Sequence, residues 1–154
     1  MPDLEHQTVL CIMGPTAAGK TECALGLAGM IDAEIISVDS AIIYRGMDVG
    51  TATPSAHELH TVVHHLVNII DPAERYSAGQ FVTDALRLIK EITARKRRVI
   101  LVGGTMMYFN ALQNGIADLP EANFDIRNAI ELEAKEKGWD VMHAKLARID
   151  PQIV

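Results

Sequence analysis

Eight residues, Gly14-Pro15-Thr16-Ala17-Ala18-Gly19-Lys20-Thr21, restrict what this chain can fold into more than any other stretch. They fit the pattern G-x-x-x-x-G-K-[ST], and their flanks give the pattern its meaning. The apolar run Thr8-Val9-Leu10-Cys11-Ile12-Met13 precedes them and reads as a buried strand, while Thr21 to Met30 reads as a helix. A strand, a glycine-rich turn and a helix start together make a phosphate cradle. The glycines let backbone N–H groups turn inward without a Cβ clash, and the helix N-terminus adds partial positive charge. Lys20 would reach the outer phosphates, and the Thr21 hydroxyl would hold Mg²⁺. Gly14 to Thr21 is therefore the expected binding site for a diphosphate or triphosphate. The pattern alone leaves open which of the two is bound and what is done with it.

The remaining elements follow from period and punctuation. Glu34 to Val38 reads as a second buried strand ending at Asp39. With the intervening helix it forms a βαβ unit, so the two strands should be parallel. Ligands of open parallel sheets bind beyond the carboxyl ends of the strands, which puts Asp39 near the phosphate loop. Residues 40–54 contain Gly46, Gly50 and Pro54 and are too long for a simple connector, so they are a candidate substrate loop. A short helix is expected over 55–63 and a third strand over Leu66 to Ile70. Ser77 is a suitable N-cap for a long amphipathic helix whose inner face carries Phe81, Val82, Ala85, Leu86, Ile89 and Ile92. Arg95-Lys96-Arg97-Arg98 reads as its solvated C-terminal end rather than a nucleic-acid patch. Val99 to Val102 is a further buried strand. Gly103-Gly104-Thr105 follows, either to bring backbone close to a ligand or to make a tight turn into a helix over about Met106 to Asn114. After Pro120 the texture changes to two helices, Asp125 to Lys137 and Val141 to Ile149. The expected fold class is α/β with a small parallel sheet that looks unfinished, the core occupying 1–121 and a separate helical part 122–154.

Bulk properties narrow the function classes. The 154 residues are enough for a real core, and the net charge of −6 argues against sequence-blind nucleic-acid binding by the whole surface. No apolar run approaches membrane length, and the N-terminus lacks a signal-peptide pattern, so a cytoplasmic protein is expected. Cys11 and Cys23, without a C-x-x-C, read as buried free thiols. From residue types, two enzyme readings stand. In one, ATP sits in the cradle and Asp39 orients or deprotonates an acceptor hydroxyl, as in a P-loop kinase. In the other, the cradle holds the diphosphate of a different donor whose attached group is transferred.

Longer blocks carry a resemblance. Gly14 to Thr21, then Ile35-Ile36-Ser37-Val38-Asp39-Ser40-Ala41-Ile42-Ile43-Tyr44-Arg45-Gly46-Met47-Asp48-Val49-Gly50-Thr51-Ala52, then Leu101-Val102-Gly103-Gly104-Thr105-Met106-Met107-Tyr108-Phe109, is similar to the tRNA dimethylallyltransferase (MiaA) family. Tyr76-Ser77-Ala78 and the stretch around Arg127 fit as well. The resemblance implies a P-loop NTPase-like three-layer fold. It implies transfer of a dimethylallyl group from dimethylallyl diphosphate to the exocyclic amine of the adenosine 3′ of the anticodon, in tRNAs that read codons beginning with U. The loop Gly14, Pro15, Thr16, Ala17, Ala18, Gly19, Lys20 and Thr21 would then hold the leaving diphosphate. Lys20 and Mg²⁺ on Thr21 would neutralise its charge. Asp39 would be the general base, and Ser40, Ala41 and Ile42 would border an adenosine flipped out of its stack. Thr105 and Arg127 match family positions that contact the tRNA. Val63-His64-His65 departs from the Pro-His-Arg or Pro-His-His usual in the family. The chain ends about halfway along the family's length, so residues 122–154 are expected to begin a helical tRNA-gripping domain. A chain that binds diphosphate without completing transfer is also expected, and so is a monomer. A nucleotide-accepting prenyltransferase and a fragment that only binds diphosphate are the other members of the set.

Several residues have an ordinary reading beside a chemical one. Asp39 could be a strand-end cap, and Asp48 a turn aspartate rather than a Mg²⁺ ligand. His57, His60 and His64 share one helical face by spacing but lack the carboxylate or cysteine partner a transition-metal site needs. Met106, Met107, Tyr108 and Phe109 read as core. Trp139 reads as packing between the last two helices, although an aromatic there could stack on a base.

Overall fold

A computed structural model describes residues 8–48, 50–51, 53–115 and 123–152. The chain divides into two compact units, Met1–Ile116 and Ala117–Val154. In the first, four strands form one parallel sheet: β1 (Val9–Met13), β2 (Ala33–Val38), β3 (His64–His65) and β4 (Arg98–Gly103), in the order β1-β4-β2-β3. Helix α1 (Lys20–Ile31) packs on one face, and α3 (Ala78–Ala94) with α4 (Met106–Asn114) on the other. A short α2 (Ala56–Thr61) precedes β3. This is the three-layer α/β architecture of the P-loop NTPase-like folds. Among the described residues no helix is long and apolar enough to cross a membrane.

Alternation along β2 assigns its side chains to two cores. Ile36 and Val38 join Phe81, Ala85, Leu88, Ile89, Ile92, Tyr108 and Phe109 on one face; Ile35 joins Ala24, Ala28 and Ile100 on the other. Every residue of β2 is buried, as expected of a strand covered on both faces. The predicted inner face of α3 is corrected at one place: Leu88 is buried, while Leu86 is 43% exposed. Complete capping boxes start α2 (Ser55 with Glu58) and α3 (Ser77 with Gln80). Phe81 stacks on Tyr108 with ring centroids 4.7 Å apart, and Tyr76 meets Tyr108 edge-on at 6.4 Å, fixing α3 against α4.

The register brings three strands level at their carboxyl edge. Met13 and Val38 both sit opposite Gly103, so the loops after β1, β2 and β4 leave the sheet side by side. Gly103 is needed for this. A Cβ there would lie 2.0 Å from the Val38 carbonyl oxygen. The glycine pair thus makes close strand-to-strand contact at Gly103, while Gly104 lies against the start of the phosphate loop, its would-be Cβ 3.4 Å from the Gly14 oxygen.

Several expectations are corrected. Leu66 to Ile70 is not a strand: Leu66 and Asn68 have positive φ (61° and 52°), which ends extended structure, and the strand is His64–His65. The apolar run instead folds onto the 42–45 segment, where Ile69 N–H donates to the Ile43 carbonyl at 2.8 Å and Ile70 bridges Tyr44. Because α2 ends at Thr61 and His64 is in β3, the three histidines share no helical face. Cys11 and Cys23 are exposed rather than buried, Cys11 because β1 is an edge strand among the described residues. Tyr108 and Phe109 are core, but Met106 and Met107 are 46% and 61% exposed.

The basic run after α3 is only partly a solvated end. Arg95 donates to Glu34 at 2.8 Å and 3.2 Å, Arg97 to Asp32 at 2.9 Å, and His65 lies 2.6 Å from Glu34. These groups close the amino edge of the sheet, where Glu34 is 2% exposed. Burial alone would push the Glu34 carboxyl up, but the hydrogen bonds from Arg95 and His65 outweigh it and hold it below the ordinary range.

The second unit is a helical pair, α5 (Phe124–Lys137) and α6 (Trp139–Ile149), turned by Gly138 at φ 85°. Asn123 caps α5, and Glu133 pairs with Lys137 within α5 and with Lys145 on α6. Trp139 is not a packed residue: it is 66% exposed, bordering a shallow groove with Ile126, Arg127 and Ile130. The predicted boundary at 121–122 lies outside the described residues.

Two stability predictions follow from this packing. Gly103→Ala destabilises the chain by about 3 kcal/mol or more, because backbone must move, whereas Gly104→Ala costs about 1 kcal/mol or less; chemical denaturation of both variants measures the contrast. Glu34→Gln lowers unfolding free energy at pH 7 by about 1–2 kcal/mol, because the hydrogen bonds that Arg95 and His65 make to the buried carboxylate lose its charge. Since the folded carboxyl titrates below its ordinary 4.5, its contribution is full above that pH. The gap to wild type narrows as acid protonates the native carboxylate, which denaturation across pH 3–7 follows.

Candidate diphosphate site

The carboxyl edge of the sheet opens into a cavity of about 420 Å³. Its wall includes Thr16, Ala17, Ala18, Gly19, Lys20 and Thr21 from the loop, Asp39 and Ile42 after β2, and Gly103 and Gly104 after β4. The loop earns its curvature from Ala17 at φ 64° and Gly19 at φ 75°. Gly19 has no side chain to cap α1, so the first-turn amides are without the side-chain partner that α2 and α3 possess. An anion at this helix start would satisfy those amides and meet the positive end of the dipole. Lys20 Nζ donates to the Pro15 carbonyl at 2.6 Å, which folds the ammonium over its own loop.

Asp39 is a strand-end cap, one of its two anticipated readings. Its Oδ1 accepts from Ala41 N–H at 2.8 Å and Ile42 N–H at 3.4 Å, capping the turn that begins the next loop. The residue nevertheless lines the same cavity as the phosphate loop. The carboxylate is thus aimed by the turn it caps. Thr105 reinforces the arrangement: its Oγ1 accepts from Ser40 N–H at 3.0 Å, and its own N–H donates to the Val38 carbonyl at 3.2 Å. Ser40 is exposed, Ala41 half-buried and Ile42 buried. Asp48 accepts from Asn68 at 2.9 Å and serves the loop structure. Gly14 and Pro15 begin the loop, Gly14 packing against Gly104. Arg127 belongs to the second unit, on the groove with Trp139.

Two residues of the wall were not anticipated. His64 Nδ1 lies 2.8 Å from the Val62 carbonyl, and burial holds its imidazole pKa below the ordinary value despite that bond. Ser37, buried on β2, has an Oγ with no hydrogen-bond partner among the described residues. A buried hydroxyl in that condition costs about 1–3 kcal/mol. Alternation from Asp39 back along β2 was the available signal for Ser37. His64 was marked by its spacing from His57 and His60 and by the Val63-His64-His65 departure, but its place on the wall depends on where β3 begins.

Among the described residues no three His, Cys, Asp or Glu side chains form a metal cluster. That does not bear against Mg²⁺, which keeps several waters and is usually bound through one or two carboxylates together with substrate phosphates. Thr21 and Asp39 on one cavity wall are hard oxygen donors of that kind, so the residues present fit the ion.

Comparison with known proteins identifies the relatives of this arrangement. A family model described as IPP transferase matches residues 42–154. The tRNA dimethylallyltransferase of Methylococcus capsulatus is 52% identical over 151 residues, covering 98% of this chain and 48% of that protein. The crystal structure of the full-length tRNA isopentenylpyrophosphate transferase from Bacillus halodurans superposes with TM-score 0.71 at 41% identity, covering 96% of this chain and 49% of that one. A eukaryotic dimethylallyltransferase captured acting on tRNA matches with TM-score 0.78 at 28% identity, over 96% and 37%. The chain spans about half the length of the curated relatives it matches. With the phosphate loop, Asp39 and Thr105 arranged at one sheet edge, and with these matches over nearly all of its residues, the chain belongs to the IPP transferase family.

Proposed function

We propose that this chain carries the donor-binding half of a tRNA dimethylallyltransferase, the diphosphate of dimethylallyl diphosphate seated on the loop Gly14 to Thr21. The observation that carries the reading is the shared cavity: an uncapped helix start with Lys20 on one wall and the Asp39 carboxylate on another. The acceptor is the exocyclic amine of the adenosine 3′ of the anticodon. An adenine amine is a weak nucleophile, and an allylic diphosphate ionises readily once its leaving group is stabilised. The loop amides and Lys20 therefore supply the larger effect, neutralising charge as the C–O bond breaks. Asp39 accepts the amine proton as the C–N bond forms. Mg²⁺, held through Thr21, supplies further charge neutralisation on the leaving diphosphate when bound.

Ser40, Ala41 and Ile42 border the flipped base, and Thr105, bonded to the Ser40 amide, contacts the tRNA. Arg127 contacts the tRNA from residues 122–154, the start of a helical tRNA-binding domain; residues 1–121 form the α/β core. We assign the protein to the cytoplasm, acting as a monomer. A P-loop kinase uses the same loop but phosphorylates an acceptor from ATP.

Incubation with labelled dimethylallyl diphosphate, Mg²⁺ and unmodified tRNA separates the readings. Label on the adenosine beside the anticodon supports the transferase, and a phosphorylated metabolite made from ATP supports the kinase. Binding of dimethylallyl diphosphate weakens roughly 10- to 100-fold in Lys20→Ala, as expected for losing charge-assisted hydrogen bonds. Asp39→Asn retains that binding and loses transfer. Calorimetry and tRNA labelling measure the two effects, and equal donor affinity in Lys20→Ala and wild type would contradict the assignment.

A further inference from the structure

Ser37 stands two residues before Asp39 on β2. Side chains alternate along a strand, so Ile35, Ser37 and Asp39 share one face, and all three line the cavity at the phosphate loop. Thr21 and Ala24, from the first turns of α1, line it as well. Ser37 is 5% exposed, and its Oγ has no partner among the described residues. Four neighbouring polar side chains on the wall are already engaged. Lys20 bonds Pro15, one Asp39 oxygen holds two amides, Glu58 closes the α2 capping box, and His64 bonds Val62. An alanine would fill the same space without an unsatisfied group, so the hydroxyl has a use in another state of the protein.

The adjoining strand narrows that use. β4 places Val102 beside Ser37 and Gly103 beside Val38, then leaves the sheet as Gly103-Gly104. Close contact with the Val38 backbone excludes any side chain at Gly103. The strand between β1 and β2 therefore offers no side-chain oxygen at Gly103 or Gly104, and the sheet's side-chain contribution comes from Ser37 and Asp39 on β2. A serine hydroxyl both donates and accepts, which suits a water molecule in a cation's shell.

We propose that Ser37 is a positioning residue of the diphosphate site, its hydroxyl joining Thr21 and Asp39 in an oxygen-lined wall that orders the hydration shell of diphosphate-bound Mg²⁺. This rests on the diphosphate reading above. The test is calorimetric titration of the 154-residue chain with inorganic pyrophosphate, in Mg²⁺ and in EDTA, together with thermal unfolding of the ligand-free protein. Ser37→Ala should unfold at or above the wild-type temperature. It should bind pyrophosphate about 5- to 10-fold more weakly than wild type in Mg²⁺ and equally well in EDTA. Ser37→Cys, close in volume but a poor Mg²⁺-shell partner, should behave like Ser37→Ala. Unchanged affinity of both variants in Mg²⁺ overturns the proposal. So does a lower unfolding temperature of ligand-free Ser37→Ala, which would make the hydroxyl structural, or an equal loss with and without Mg²⁺. Failure of the wild-type chain to bind pyrophosphate in either condition overturns the diphosphate reading as well.

Discussion

The fit of Gly103 against the Val38 backbone governs the geometry of this site. β4 lies between the strand that feeds the phosphate loop and the strand that ends at Asp39. Only a residue without a Cβ lets the exits of all three strands stand level, since any side chain there would strike the Val38 carbonyl. From that edge each loop takes its function. The first presents amides, the second a carboxylate, and the third a threonine whose hydroxyl receives the Ser40 amide. Groups on separate loops are brought to one cavity here by the sheet beneath them.

Polar groups are distributed unequally between the two ends of the sheet. At the amino edge Glu34 is buried among Arg95, Arg97 and His65, and its hydrogen bonds are made within the protein. At the carboxyl edge, the α1 start and the Ser37 hydroxyl have no side-chain partner among the described residues. The amino end is closed by ion pairs, with Arg97 Nε lacking a partner among the described residues, and the carboxyl end opens into the cavity. Helices α2 and α3 show that full capping boxes are within reach of this sequence. The bare start of α1 is therefore a property of the site, consistent with functional positions giving up local stability.

Much of this was legible from residues alone, for identifiable reasons. The loop, β2, α3 with its Ser77 cap and the helix Met106–Asn114 each follow from a strong local signal: a glycine pattern, an apolar strand run, a capping box, a 3.6-residue period. Long-range pairing was not legible. Leu66 to Ile70 reads as a strand by composition but is bent by two positive-φ residues and paired to the 42–45 loop. The Arg95–Arg98 run reads as a solvated end, yet two of its arginines reach acidic partners more than 60 positions earlier, at Glu34 and Asp32. Exposure of Cys11 depends on β1 lying at the sheet edge, which strand order decides. For the site, the loop and Asp39 were readable from motif and topology. Ser37 was not, because its significance is the absence of a hydrogen bond, which only packing reveals.

The most direct measurement is a crystal structure of this chain with Mg²⁺ and a non-hydrolysable thiolo analogue of dimethylallyl diphosphate. The account predicts the diphosphate on the amides between Gly14 and Thr21, Lys20 Nζ moved from the Pro15 carbonyl onto a phosphate oxygen, and the allylic carbon facing Asp39. An analogue bound elsewhere, or one whose allylic end points away from Asp39 with Lys20 still on Pro15, would contradict it.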